Sequence, residues 1–263
     1  MGGRIRIERD EQDPRLAWLV FDHPERRNAI SVEMWRQIPE AAAELAADPE
    51  VRVVVLRGAG DAAFVAGADI SEFGEARSGD SVGDYDAHGA RAFGALANLP
   101  KPVLAMLRGP CVGGGVAIAL CADMRYAASD AFFAVPAAKL GLGYHMAGIE
   151  MLKELVGPSR AKEIFFTARR YDVSEALAMG LVDGVFAPEA LEERVRQTAA
   201  RIADNAPLTV RSIKKIVSEL AKPEKYRDHS AVDDSIRACF ESEDYREGVK
   251  AFLEKRKPRF AGK

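Results

Sequence analysis

The sequence predicts an α/β fold with a helical C-terminal region. Short apolar runs rich in β-branched residues alternate with segments of helical periodicity, and strand–helix–strand order favours a sheet that is at least partly parallel. From about Ser159 onwards the strand-like runs give way to helical patterns. A length of 263 residues suits one large domain, or a core with a small appendage.

The first strands and the first helix are predicted from apolar patterns. Apolar residues recur at helical spacing from Met34 to Leu45 behind Ser31, which predicts a helix capped by Ser31. Pro39 falls inside this pattern, so we expect a kink or a break there. Four short runs are predicted as strands: Leu16–Phe21, Val51–Leu56, Val103–Leu107 and, less clearly, Ala131–Val135.

The C-terminal part is predicted to be a layer of helices. Ser174 to Gly180 is expected to be a short helix, with serine as its N-cap and glycine after its last turn. Pro188 suits the first turn of a helix that runs towards Asp204. Two further helices are expected to begin at Pro207 and Asp233, and an apolar stripe marks the last of them: Tyr245, Val249, Phe252 and Leu253.

Composition excludes several classes of function. The net charge is −3 and no basic face stands out, which gives little support to a nucleic-acid or membrane-surface role. Cys111, Cys121 and Cys239 are scattered, which argues for a reducing compartment and against a zinc site. The first residues lack the apolar core of a signal peptide, and no apolar run approaches the roughly 20 residues of a membrane span. We therefore expect a cytoplasmic protein.

Three consecutive glycines follow the strand Val103–Leu107 and precede an apolar helix. Gly113–Gly115 cost backbone entropy on folding and add no side-chain packing. Three glycines in a row therefore indicate a place where a ligand must lie directly against the main chain. Their N–H groups would suit an anionic oxygen. The alternative explanation for these glycines is a close helix–strand crossing, which one or two glycines would satisfy. A dinucleotide-binding loop is excluded, because Ile118 stands where its third glycine is required.

Two more segments are candidates for the site. Phe64–Ile70 is another turn of small residues after a predicted strand. Segment 74–89 has four glycines and alternating charge, and it is predicted to contain a flexible loop leading into a helix around Tyr85–Leu96. Such a loop either covers an active site or is a solvated surface loop.

A family resemblance is carried by His23–Ile30, Phe64–Ile70, Gly109–Gly115, Gly180–Asp183 and Lys255–Pro258. Together these segments resemble the crotonase superfamily, also called the enoyl-CoA hydratase/isomerase family, over essentially the whole chain. The resemblance implies a crotonase (ClpP-like) spiral of ββα units over residues 1–205. It also implies a helical region over residues 206–263 that covers the site and contributes to trimer contacts. Trimers of this family often pair into hexamers.

The same resemblance places an oxyanion hole at the backbone N–H groups of Ala68 and Gly114. Two such donors stabilise a thioester oxygen that becomes an enolate by roughly 3 kcal/mol each. The implied substrate is an acyl-CoA thioester, Arg27 is expected near a phosphate of coenzyme A, and no metal, flavin or nicotinamide is implied. The remaining expected contacts with substrate are Ala29, Ala66, Asp69, Ile70, Ala117, Pro136 and Ala137.

The chain departs from the family pattern at the acid–base residues. Hydratases of the family use two glutamates, and the matching positions here are Ala117 and Ala137. Tyr144 stands where these hydratases usually have proline, and with the tail Ser242–Pro258 it resembles the methylmalonyl-CoA decarboxylase branch. That branch carries histidine where this chain has Ala68.

A decarboxylase-like lyase acting on a malonyl- or alkylmalonyl-CoA is therefore the leading hypothesis. Loss of CO₂ forms the enolate directly, so no general base is needed. Tyr144 is expected to orient the departing carboxylate, and His145 to carry or relay the later proton. The alternatives are a hydratase or isomerase whose acid–base group has moved, a CoA-thioester hydrolase, and a CoA-binding homologue without catalysis. The relocated group would be His145 or one of Asp84, Asp86 and His88.

Overall fold

The computed structural model describes residues 2–72 and 81–263. Within them the strands are β1 (Arg4–Arg9), β2 (Leu16–Asp22), β3 (Val53–Gly58), β4 (Val103–Leu107), β5 (Pro110–Val112), β6 (Met124–Ala128), β7 (Phe132–Ala134), β8 (Tyr171–Asp172) and β9 (Gly184–Phe186). The α-helices are α1 (Val32–Ala47), α2 (Ser81–Ala97), α3 (Gly114–Leu120), α4 (Ala137–Leu140), α5 (Met146–Thr167), α6 (Val173–Ala178), α7 (Pro188–Ala203), α8 (Pro207–Ala221), α9 (His229–Glu241) and α10 (Glu243–Leu253).

The strands form two sheets that share a repeated ββα connection. Six strands pair in the order β1-β2-β3-β4-β6-β9, and all neighbours except β1 and β2 are parallel. A smaller sheet has the order β5-β7-β8. In the units β4-β5-α3 and β6-β7-α5, the first strand joins the large sheet and the second joins the small one. The chain therefore winds as a spiral.

Successive side chains of a strand point to opposite faces of the sheet. Both faces of the large sheet are buried. Trp18 and Val20 of β2 face α7, while Leu19 and Phe21 face the larger core beneath α1. Burying such a side chain completely stabilises the fold by about 1.5–3 kcal/mol. The near-continuous apolar runs in the sequence reflect this two-sided burial.

Several strands and helices begin at other residues than the sequence predicts. The strand predicted from Val51 begins at Val53, and α1 continues through Pro39 without a break. Helix α6 is capped by Asp172 and not by Ser174, because the Asp172 carboxylate accepts the N–H groups of Ser174 and Glu175 in a capping box. The helix predicted from Asp233 begins earlier, at His229 after the cap Asp228.

The glycine-rich segment 74–89 is only partly described. Residues 73–80 lie outside the described residues, so the predicted loop is not tested there. From Ser81 onwards the chain is already the first turn of α2, which places Asp84, Asp86 and His88 on a helix rather than in a loop. No helix within the described residues combines the length and apolarity needed to cross a membrane.

The C-terminal region consists of α8, α9 and α10, joined by short turns. The polar partners of its first helix bind it to the core: the Nζ of Lys214 donates to the carbonyl of Lys101 and pairs with Asp123. Its outer face carries large apolar side chains that remain exposed: Ile213, Val217, Leu220, Tyr226, Ile236, Phe240, Tyr245, Val249, Phe252 and Leu253.

Candidate active site

One N–H donor of the site lies in the turn that follows β3. Ile30 donates its N–H to the carbonyl of Gly67 at 2.8 Å, and its own carbonyl accepts the N–H of Asp69 at 2.9 Å. Ile30 and Ala68 thus form an isolated parallel bridge. The N–H of Ala68 lies between these two bonded groups and points to the opposite side, as alternation along an extended backbone requires.

The second donor lies at the start of α3. Gly113 has a positive φ of 52° and donates its N–H to the carbonyl of Ala134 at 2.8 Å, so the turn is fixed to the small sheet. A Cβ atom on Gly115 would lie 2.3 Å from the carbonyl oxygen of Val65, so this position accepts no side chain. Gly114 between them is the first residue of α3, where an N–H has no acceptor within the helix.

The two donors face a common space. A Cβ atom built on Gly114 would lie 3.8 Å from the nitrogen of Ala68. Across residues 2–72 and 81–263, neither the N–H of Ala68 nor that of Gly114 donates to a protein acceptor. One oxygen placed between them can accept both hydrogen bonds. That is the arrangement needed to stabilise a developing oxyanion.

Two of the expected substrate contacts, Ala117 and Ala137, carry methyl groups. Ala117 on α3 is half-buried and Ala137, the first residue of α4, is 5% exposed. Pro136 is the half-buried N-cap of α4. A methyl group transfers no proton, so neither alanine supplies acid–base chemistry.

Tyr144 brings a hydroxyl group to the glycine turn. Its Oη lies 3.9 Å from the position of a Cβ on Gly113, and its ring packs edge-on against Phe165 with centroids 5.0 Å apart. Tyr144 is half-buried. The structure therefore brings Ala68, Gly114 and Tyr144 together around the Gly113 turn.

His145 forms a hydrogen bond with a residue of α2. Its Nε2 lies 2.7 Å from Oδ2 of Asp86, and the imidazole side chain is 75% exposed. The other candidates from this segment lie elsewhere: Asp84 is exposed, and His88 faces α1, where it accepts a hydrogen bond from Nε of Arg36 at 3.4 Å. Asp86 is thus the acidic residue of α2 that reaches the predicted site.

The turn from His23 to Ala29 is held rigidly by buried polar groups. Asn28, with a φ of 58°, accepts the N–H of His23 and donates from Nδ2 to the carbonyls of Ala59 and Ala63. The Nδ1 of buried His23 lies 3.0 Å from the carbonyl oxygen of Ala29. His23 and Asn28 therefore fix the backbone on which the Ile30–Ala68 bridge depends.

Replacing Asn28 by alanine is expected to destabilise the fold by about 3–4 kcal/mol, because three buried backbone groups lose their partner. Urea unfolding should show a lower midpoint with a nearly unchanged slope. Asn98→Ala is the matched control, since Asn98 is exposed and its side-chain amide, among the described residues, donates to the carbonyl of Gly94 in the adjoining α2. Equal losses of stability in the two variants would contradict the conclusion that the hydrogen bonds of Asn28 hold this turn in place.

The residues expected along the coenzyme A path lie at the open edge of this turn. Arg27 is exposed, and its carbonyl accepts the N–H of half-buried Ala66 at 3.1 Å. Ala29 is 8% exposed, whereas Ile70 is 67% exposed. The structure thus brings Arg27, Ala29 and Ala66 into one strip.

Asp69 anchors the donor loop from within. Its Oδ1 accepts both the N–H and the hydroxyl of Ser71, at 3.0 and 2.7 Å. Burial opposes ionisation of the carboxyl, but the two hydrogen bonds from Ser71 outweigh it and lower the pKa of Asp69. The Glu72 carboxylate then accepts the N–H of Val32 at 2.7 Å and ties the same loop to the start of α1.

Two aromatic residues near the donors were not predicted from the sequence. The ring of Trp35 lies against Gly114, and its Nε1 donates to Oη of Tyr85 at 3.1 Å. In the sequence, Trp35 belongs to the apolar stripe of α1 and reads as ordinary core. Tyr85 lies in the glycine-rich segment, where no periodic pattern marked it.

The chain is similar to characterised proteins over its whole length. A family model described as Enoyl-CoA hydratase/isomerase matches residues 11–263. A crotonyl-CoA hydratase of Syntrophomonas wolfei is 36% identical over 253 residues, which cover 96% of this chain and 97% of that protein. A carnitinyl-CoA dehydratase of Citrobacter koseri is 34% identical over 249 residues, covering 93% and 94% of the two chains.

Solved structures show the same architecture. The structure of an enoyl-CoA hydratase/carnithine racemase from Magnetospirillum magneticum matches with a TM-score of 0.93 at 35% identity, covering 100% of this chain and 97% of that one. An enoyl-CoA hydratase from Bacillus anthracis matches with a TM-score of 0.91 at 29% identity, covering 99% and 100%. The α/β spiral predicted from the sequence is confirmed by these similarities.

Proposed function

Because the chain belongs to the enoyl-CoA hydratase/isomerase family, we propose that it is a lyase that stabilises the enolate of an acyl-CoA thioester between the N–H groups of Ala68 and Gly114. The observation that carries this proposal is the pair of unbonded donors facing one space. Donors already in place lower the barrier, because no reorganisation is needed when the charge develops. Coenzyme A enters as part of the substrate, with no separate cofactor.

Decarboxylation of a malonyl- or alkylmalonyl-CoA is the reaction that these side chains support best. The bond between the α-carbon and the carboxylate breaks, CO₂ leaves, and the bonding electrons move into the thioester carbonyl to form the enolate. The α-carbon then takes up a proton. The first step requires no base, which agrees with alanine at positions 117 and 137.

In this proposal Tyr144 orients the departing carboxylate. Its hydroxyl lies beside the Gly113 turn, and we place the methyl groups of Ala117 and Ala137 in the wall around the departing carboxylate. A carboxylate in an apolar surrounding is poorly solvated, and this destabilisation is relieved when neutral CO₂ departs and the negative charge moves to the enolate oxygen between the two donors. One hydroxyl donor is sufficient to hold the carboxylate out of the thioester plane.

Hydration of an enoyl-CoA is the second candidate, and the His145–Asp86 contact favours it. A histidine held by a carboxylate is a recurring arrangement for general acid–base catalysis. The pair would replace the two missing glutamates as the group that moves protons to and from water. The names of the relatives, a crotonyl-CoA hydratase and carnitinyl-CoA dehydratases, point in the same direction.

The two reactions are distinguished by incubating the protein with methylmalonyl-CoA and, separately, with crotonyl-CoA, and following the products by mass spectrometry. We expect propionyl-CoA from the first substrate. Tyr144→Phe should reduce its formation by about 10- to 100-fold, because a hydrogen bond to a charged group contributes about 1.5–3 kcal/mol. The thermal midpoint should change little, since the aromatic ring remains packed against Phe165.

Hydration of crotonyl-CoA without release of CO₂ would overturn the decarboxylase proposal. In that case His145→Gln should abolish hydration and Tyr144→Phe should not. Release of free coenzyme A would instead identify a thioester hydrolase. Binding of coenzyme A without any turnover would identify a non-catalytic homologue.

We also propose that copies of this chain assemble as a trimer or a dimer of trimers through the C-terminal region. The support is the set of large apolar side chains that remain exposed on α8, α9 and α10, since clustered exposed apolar surface often marks a protein–protein interface. Arg27 and the strip of Ala29 and Ala66 are proposed to hold the coenzyme A moiety, since the guanidinium is exposed beside the donor loop.

A further inference from the structure

The indole of Trp35 lies beside the glycine that supplies one of the two donors. A Cβ atom built on Gly114 would lie 3.3 Å from Cζ2 and 3.6 Å from Cη2 of Trp35. The same Cβ position is 3.8 Å from the nitrogen of Ala68, so the six-membered ring of Trp35 lies next to the two donors on the side of α1. Only 3% of Trp35 is exposed, so the ring packs behind the donors and leaves the site open.

The orientation of this ring is fixed by α2. Nε1 of Trp35 donates to Oη of Tyr85 at 3.1 Å, and Phe93 packs edge-on against the indole at a centroid distance of 5.2 Å. Tyr85 is itself 8% exposed, so the hydrogen bond lies away from solvent. An indole has a single polar atom, and its hydrogen bond therefore sets how the ring is rotated within its packing site.

We infer that Tyr85 and Trp35 are positioning residues for the oxyanion donor of Gly114, an inference that rests on the enolate-stabilising function proposed above. The Tyr85 hydroxyl holds the indole, and the indole edge holds the first turn of α3. Gly114 has no side chain of its own to fix it, so the contact with Trp35 determines the direction of its N–H. A misplaced donor weakens the enolate more than the ground-state thioester, because the charge is larger in the enolate.

The test is a double-mutant cycle with Tyr85→Phe, Trp35→Phe and both together. Each single variant should lower kcat by about tenfold while KM for the thioester stays within about twofold, since small displacements of catalytic groups act on the transition state. The double variant should be no worse than the poorer single variant, because either substitution removes the same contact. A role in folding alone would lower the thermal midpoint and leave kcat unchanged.

The chain contains a matched control in its only other tryptophan. Trp18 is 2% exposed and donates from Nε1 to Oδ2 of Asp10 at 2.8 Å, but it lies on the α7 side of the large sheet. Trp18→Phe therefore removes a buried indole hydrogen bond without touching the site. We expect it to lower the thermal midpoint and to leave kcat unchanged.

The same pair of variants gives a test that does not depend on turnover. In Trp18→Phe the remaining fluorophore is Trp35, and its emission should change when acetoacetyl-CoA binds as its enolate. In Trp35→Phe the remaining fluorophore is Trp18, and its emission should not respond. The near-ultraviolet absorbance of the bound enolate should also be weaker in Tyr85→Phe than in the unsubstituted protein.

The outcomes separate this inference from the proposed function. If the unsubstituted protein turns over neither methylmalonyl-CoA nor crotonyl-CoA, the proposed reaction fails, and the enolate absorbance and fluorescence alone decide the inference. Unchanged enolate binding and unchanged kcat in both single variants would overturn the inference. A double variant whose loss equals the product of the single losses would overturn it as well, because the two residues would then act independently.

Discussion

Replacing Gly114 by proline is expected to lower kcat/KM for the CoA thioester by about 100- to 1000-fold, because proline removes one of the two oxyanion donors. Gly114 is the first residue of α3, a position at which a helix tolerates proline and does not use the N–H. The substitution therefore removes a hydrogen-bond donor that the helix does not use, and it also adds a Cβ atom beside Trp35. Circular dichroism of the proline variant should show the same helical content as that of the unsubstituted protein.

Gly114→Ala is the control for this effect. It keeps the N–H and adds a Cβ atom 3.3 Å from Cζ2 of Trp35, a tight contact that the ring has to accommodate by a few tenths of an ångström. We expect a loss of less than about tenfold, since the donor is displaced but not removed. Comparable losses in the proline and alanine variants would show that crowding at the turn, and not the missing donor, limits the rate.

Introducing glutamate at positions 117 and 137 is expected to create hydration of crotonyl-CoA, with a rate about 10²–10⁴-fold above that of the unsubstituted protein. Ala117 is half-buried on α3, and Ala137 is the buried first residue of α4. The charge-stabilising donors are already present, so the two carboxylates supply only the missing proton transfer. Loss of enoyl absorbance with crotonyl-CoA measures the gain.

The double variant with glutamine at both positions is the matched control, because glutamine has nearly the same size and cannot act as an acid or a base. It should remain as inactive in hydration as the unsubstituted protein. We also expect the glutamate variant to lose decarboxylation of methylmalonyl-CoA, since two carboxylates would repel the carboxylate of the substrate. Retained decarboxylation with no gain in hydration would contradict the assignment of these two positions.

The sequence was sufficient for the elements that are long and periodic. The strand Val103–Leu107 and the helix behind Ser31 are found as predicted, with Ser31 accepting the N–H of Met34. Strand β1 was not predicted because its Arg-Ile alternation carries charges, and β8 has only two residues. Such short strands are defined by their pairing partners, which lie far away along the chain.

The candidate site could be predicted only where main-chain geometry leaves a mark on composition. Gly113–Gly115 were recognisable because Gly113 has a positive φ and Gly115 approaches the carbonyl of Val65 too closely for any side chain. The roles of Trp35 and Tyr85 were not predictable, because their contact joins two helices and depends on tertiary packing. Asp86 and His145 were both candidates in the sequence, but their pairing across 59 residues was not predictable for the same reason.

The two proposed oxyanion donors are main-chain atoms. The anion site therefore depends on the backbone, whereas proton transfer depends on side chains that are free to vary. In the proposed function each donor is oriented by backbone hydrogen bonds, from Ile30 to Gly67 and from Gly113 to Ala134, and the donor of Gly114 also by its contact with Trp35. Proton handling, in contrast, is left to individual side chains on the walls. A gene that encodes this scaffold can therefore acquire a different reaction through a handful of point mutations while it retains a working anion site throughout.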